Sequence, residues 1–243
     1  MKHMPLKSSR LRGAPRAAFT LVELLVVIGL IVLLAGGIGV ALSGGNKSTA
    51  LQSAQGSLSS ALSLVRAQAA LTGGDAALAV YAGTAPSDPD YSDRYLRYYV
   101  VIKKTTTGWE ATGEGEYLPA GVYFVPNTAP SSTALLDSSV DFNNLKSDGF
   151  DGSLTNQKFN SNTGADWLVV GISSLGRRVN AANSNNVPSS GCIMLATGEA
   201  QPPGSTPPFK YNNAYNVRGY FLSQYGVGAS VNNRDEYNAY ISN

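Results

Sequence analysis

Nineteen consecutive residues without a charge, Leu24 to Leu42, constrain this chain more than any other feature. As a helix they would span about 28 Å, close to the ~30 Å hydrocarbon core of a bilayer. They follow residues 1–18, which hold Lys2, Lys7, Arg10, Arg12 and Arg16 and no acid. A basic flank on one side of an apolar run orients it. That flank stays in the cytoplasm and the rest of the chain lies on the far side. Between flank and run stands Phe19-Thr20-Leu21-Val22-Glu23, which puts one acid at the mouth of the apolar segment.

Three accounts compete for this block. A secretory signal peptide would use Ala41-Leu42-Ser43 as its small-residue cleavage site, but the apolar run exceeds the 7–15 residues of a signal core. A plain membrane anchor leaves Glu23 without a purpose, because an ionisable residue inside a membrane segment costs a few kcal/mol and usually has a partner. The third account rests on a resemblance. Ala18-Phe19-Thr20-Leu21-Val22-Glu23-Leu24-Leu25-Val26-Val27-Ile28 is similar to the type IV prepilin signature. Ala18 stands where that family usually has Gly.

The resemblance implies a peptidase cut on the cytoplasmic side, between Ala18 and Phe19, and N-methylation of Phe19. It implies that the apolar segment is kept in the mature chain. Glu23 then becomes the fifth mature residue. Its carboxylate lowers the cost of holding the new Phe19 ammonium in hydrocarbon. The family uses this pair to set the stagger of neighbouring subunits during assembly. The segment Leu62 to Ala70 is also similar to a stretch of the GspH/FimT branch of minor pseudopilins, with Val65 and Gln68 departing from it. Tyr117 to Phe124 resembles that branch's Leu-Pro-x-Gly-Val segment more weakly.

Beyond the apolar run, Gly36, Gly37, Gly39, Gly44 and Gly45 each cost a helix about 1 kcal/mol relative to Ala. They suit either a local bend or close helix packing. Apolar residues then recur at Leu51, Ala54, Leu58, Ala61, Leu62, Val65 and Ala69, a single helical stripe. Gly73-Gly74 ends it as a C-cap would. From Asp75 the helical period gives way to β-rich runs: 77–81, 95–103, 121–125, 167–172, 192–196 and 219–222. The expected fold is α+β: a long N-terminal helix, half membrane and half amphipathic, packed on an antiparallel β head. The expected segments are a leader at 1–18, a transmembrane and assembly half at 19–42, an amphipathic half at 43–72 and a head at 75–243. Residues 128–166 have no clear pattern and suit an insertion.

Other chemistry finds little support. A lone Cys192 beside Ile193 and Met194 reads as a buried strand thiol, and one Cys with one His offers no zinc set. The only His is His3, so a nucleophile–His site has no base in the mature chain. Asp88, Asp90 and Asp93 miss the calcium-loop spacing, with Tyr99 where a Glu is needed, and read as a solvated turn. Asp148 to Gly152 reads the same way. Gly113-Glu114-Gly115 is too short for a dinucleotide fingerprint. Arg177-Arg178 reads as a solvated turn. No catalytic residue, metal or cofactor is expected.

The net charge of +2 combines two segments of opposite sign. Removing the leader leaves 13 basic and 16 acidic side chains, a balance of −3. That weakens any broad electrostatic role with nucleic acid. The prepilin resemblance implies a structural subunit of a type II secretion pseudopilus or type IV pilus-like filament. By resemblance its partners are other pilin or pseudopilin subunits, the prepilin peptidase and methylase, and an inner-membrane assembly platform. The expected location is the bacterial inner membrane, single pass, with the head in the periplasm or outside. The alternatives are a pilin-anchored binding module for a secreted substrate, a surface or DNA, and a membrane-tethered enzyme.

Overall fold

The computed structural model describes residues 21–83, 90–126, 154–155, 167–180, 191–213 and 215–241. The chain divides into two compact units, Met1–Gly44 and Gly45–Asn243. Helix α1 covers Leu21–Thr72. In the first unit, its placed large apolar side chains between Leu21 and Leu30 are all at least half exposed.

In the second unit, the stripe read from the sequence is the packed face. Leu51, Ala54, Leu58, Leu62, Val65 and Ala69 are fully buried and Ala61 nearly so. Gly73 ends the helix at φ +65, a left-handed conformation that glycine adopts without steric cost. The chain then enters β1 (Ala76–Tyr81), which pairs antiparallel with both β2 (Tyr98–Thr105) and β7 (Trp167–Ile172). β3 (Gly108–Ala111) and β4 (Glu116–Tyr117) share the outer edge of β2, β6 (Leu154–Thr155) adds parallel to β3, and β8 (Arg178–Val179) closes the far side. A second sheet is built on the long β9 (Cys192–Ala200). β5 (Val122–Val125), β10 (Phe209–Tyr211) and β11 (Val217–Leu222) all pair with it, and β12 (Gly228–Val231) pairs with β11.

The period-2 geometry of a strand sorts β1 between two cores. Ala76, Leu78 and Val80 join α1 and the second sheet in the larger core. Ala77, Ala79 and Tyr81 face the opposite side, with Tyr98, Trp109, Trp167 and Val169. The two sheets are joined through Leu96, which sits at φ +54. Its N–H donates to the Tyr81 carbonyl and its own carbonyl accepts from Phe124 N–H. Phe209 of β10 stacks on Tyr123 of β5 at 3.8 Å and lies edge-on to Tyr211.

These findings correct the expected α+β fold of a long N-terminal helix, half membrane and half amphipathic, carrying one antiparallel head. Among the described residues the architecture is mostly antiparallel β, in two sheets of seven and five strands. The helical segment that packs on them, residues 47–72, is amphipathic: Gln52, Ser53, Ser63 and Ala67 are exposed opposite the buried stripe. Among the described residues, no helix is long and apolar enough to cross a membrane. Of the expected transmembrane half, 19–20 lie outside the described residues, and so do the side chains of 31–42.

Smaller differences have local causes. The run expected as a strand from Tyr95 begins at Tyr98, because Tyr91–Arg94 form the one-turn helix α2 and Leu96 is left-handed. A C-terminal helix, α3 (Arg234–Ile241), went unread. It starts at Asn233, whose Oδ1 accepts from Glu236 N–H at 2.8 Å, while the Glu236 carboxylate accepts from Asn232 N–H at 2.7 Å. This reciprocal capping satisfies two donors at the helix start.

Candidate functional site

A concavity among the described residues lies where the outer edge of β2 changes partner. β3 pairs with β2 up to Ala111 opposite Ile102, and β4 takes over at Glu116 opposite Tyr99. Between them Thr112 turns both its N–H and its hydroxyl to the Val101 carbonyl, each at 2.9 Å. Residues 113–115 arch away from the sheet. The arch faces α1 across a cavity of about 280 Å³, with Ser57, Ser60, Ala61 and Leu64 on the helix side and Glu114 and Glu116 on the loop side.

Two tyrosines of β2 hold the arch from opposite faces. Tyr98 Oη donates to the Glu114 carbonyl at 2.6 Å. Tyr99 Oη donates to the Glu116 carboxylate at 2.7 Å. Burial pushes the Tyr98 phenol up to about 12, with Tyr117 and Glu114 adding to it and Arg94 opposing. Burial also raises Tyr99, followed by its hydrogen bond to Glu116. Both phenols are therefore neutral donors at ordinary pH. Gly115 sits at φ +75, and a Cβ there would run into the Tyr98 phenol.

The helix wall of the cavity thus mixes the apolar Ala61 and Leu64 with the hydroxyls of Ser57 and Ser60, and the facing rim carries two exposed carboxylates. Such a lining suits a cationic group on an aliphatic stem. Among the described residues, no three His, Cys, Asp or Glu converge to hold a metal ion.

The sequence-selected positions are scattered rather than gathered here. Ala18 and Phe19 lie outside the described residues, as do Asp88 and residues 148–152. Glu23 falls within α1, with its side chain outside the described ones. Asp90 pairs with Arg94 at 2.6 Å and Asp93 with Arg97 at 3.3 Å, both four residues apart. Cys192 is fully buried, and that burial pushes its thiol up to about 12. Arg177 is exposed in a turn, as read from the sequence. Arg178 is not: it is 4% exposed, its guanidinium donates to the Leu222 carbonyl, and burial lowers its pKa. Gly113 to Gly115, set aside as a fingerprint, forms the rim of the cavity. A glycine-flanked acid after a tyrosine-rich strand was the available signal, but nothing in the sequence tells which strand edge it faces.

Comparison with protein-family models, curated proteins and solved structures returns no match.

Proposed function

We propose that the chain is a filament subunit of the pilus-like or pseudopilus type, similar to the GspH/FimT branch. It is made as a precursor, cut between Ala18 and Phe19, and N-methylated at Phe19. It resides in the inner membrane until assembly, with residues 45–243 on the periplasmic or outer side. Its partners are other subunits, the peptidase and methylase, and an inner-membrane assembly platform. The support is the sequence from Ala18 to Ile28 together with one structural observation. Between Leu21 and Leu30, α1 exposes Leu21, Val22, Leu24, Leu25, Val26, Val27, Ile28 and Leu30 by 50–81%. Consecutive positions advance about 100° around a helix, so these side chains cover every side of it. A helix apolar all round needs lipid or other helices around it.

On this reading the helix is the assembly element and Glu23 the registering group for the Phe19 ammonium of a neighbour. The chain itself performs no reaction. Glu23→Leu tests the reading in cells. Membrane insertion should persist, because the apolar run becomes longer. Incorporation into filaments should fall strongly. Wild-type incorporation of Glu23→Leu would overturn the assignment.

A further inference from the structure

We propose that residues 45–243 of neighbouring copies join head to tail: the hairpin tip bearing Leu175 and Arg177 on one copy enters the cavity beside α1 on the next. This inference rests on the filament reading and assigns it a second contact, separate from the apolar helix.

The tip is an exposed knob. It forms where the β7–β8 turn meets the β11–β12 turn. Arg178 N–H donates to the Gln224 carbonyl at 3.1 Å, and the Arg66 guanidinium donates to the Gly226 carbonyl. The turns touch so closely that a Cβ on Gly226, which sits at φ +71, would overlap the Gly176 carbonyl. From this base Leu175 projects with 83% of its surface exposed, beside Tyr225 and Val227 at 65% and 70%. Large apolar side chains grouped this way mark an interaction site more often than solvent-facing surface.

The cavity is complementary to the knob in both respects. Ala61 and the half-exposed Leu64 offer an apolar wall for Leu175. Glu114 and Glu116 are exposed on the facing rim for the Arg177 guanidinium. Among the described residues, neither carboxylate has an ion-pair partner, and neither does Arg177. A guanidinium is the cation best suited to engage carboxylates in this way.

Position favours a second copy as the occupant. Ser57 lines the cavity and Arg66 supports the tip, and both lie on α1. Their separation is about two and a half helical turns. Knob and cavity therefore flank the helix on opposite sides, offset by about 13 Å along its axis. One copy cannot fill its own cavity with its own knob. Two different surfaces on opposite flanks make a heterologous contact, which propagates from copy to copy rather than closing as a dimer.

The test is disulfide cross-linking of the full chain, in cells and in detergent extracts. Cys192 is fully buried and stays in place. The Ser60→Cys, Leu175→Cys double variant should give a ladder of trimers and longer species on mild oxidation. Either single variant should give none. Arg177→Glu in the double-cysteine background should slow ladder formation about tenfold, and adding Glu116→Arg should restore it. Absence of a ladder, products that stop at dimers, or a rate indifferent to Arg177→Glu would overturn the contact. Failure of the filament reading is read separately. If the ladder forms while Glu23→Leu still incorporates normally, the contact stands and the helix assignment falls. If incorporation needs Glu23 and no ladder forms, the helix assignment stands and the contact falls.

Discussion

The side-chain amide of Gln55, on α1, donates to the Gly219 carbonyl of β11 at 2.9 Å. The same nitrogen reaches the Val231 carbonyl of β12 at 3.0 Å. Its oxygen accepts from Arg218 at 3.3 Å. One buried amide thus ties the helix to two neighbouring strands of the second sheet. Gln55→Leu keeps the volume and removes every one of these bonds. The expected loss of stability is about 1–3 kcal/mol, the cost of leaving buried carbonyls unpaired. Urea unfolding of the full chain measures it. A midpoint equal to wild type would contradict the assignment.

Gly115 sets the arch over the cavity. Gly115→Ala places a methyl group against the Tyr98 phenol and forces a side chain into the left-handed region. The expected cost is about 1–3 kcal/mol, with the hydrogen bond from Tyr98 to the Glu114 carbonyl lost. Faster amide exchange confined to residues 112–117 would report it. Unchanged exchange would mean that the arch does not depend on Tyr98.

Much of this architecture was legible in the sequence, and the limits have physical causes. The stripe from Leu51 to Ala69 was readable because one helix face repeats at 3–4 residues and needs no knowledge of its partner. The strand cores at 167–172, 192–196 and 219–222 were readable from β-branched and aromatic runs. The division into two sheets was not. A buried strand such as β9, with Cys192 to Gly198 all buried, reads the same in either sheet. Arg178 misled for a related reason. Arg177 stays in the turn and meets water, while Arg178 opens β8, whose two residues are both buried, a pairing that the local sequence does not show. Asn233 with Glu236 was a helix-start signal within reach, masked by the short polar helix behind it. The cavity depends on β3 and β4 sharing one edge of β2, a long-range pairing that no local pattern encodes.

Alkaline pH should weaken the fold. Burial moves the Tyr98 phenol from its ordinary 10.0 to about 12, and the Cys192 thiol from 9.0 to about 12. Between these values the folded chain retains protons that the unfolded chain has released. Stability is therefore complete below about pH 9 and falls as pH rises toward 12. The urea midpoint should decrease steadily over that range, with tyrosinate absorbance appearing alongside unfolding. A flat midpoint up to about pH 11 would contradict the burial of these groups.

The central claim is that this chain is processed and assembled as a pilin-like subunit. The mass of its N-terminal peptide, taken from membranes of the native host, tests it most directly. The account predicts a chain that begins at Phe19 and carries one added methyl group on its amine. A chain beginning at Gly44 with a free amine, or one retaining residues 1–18, would contradict it.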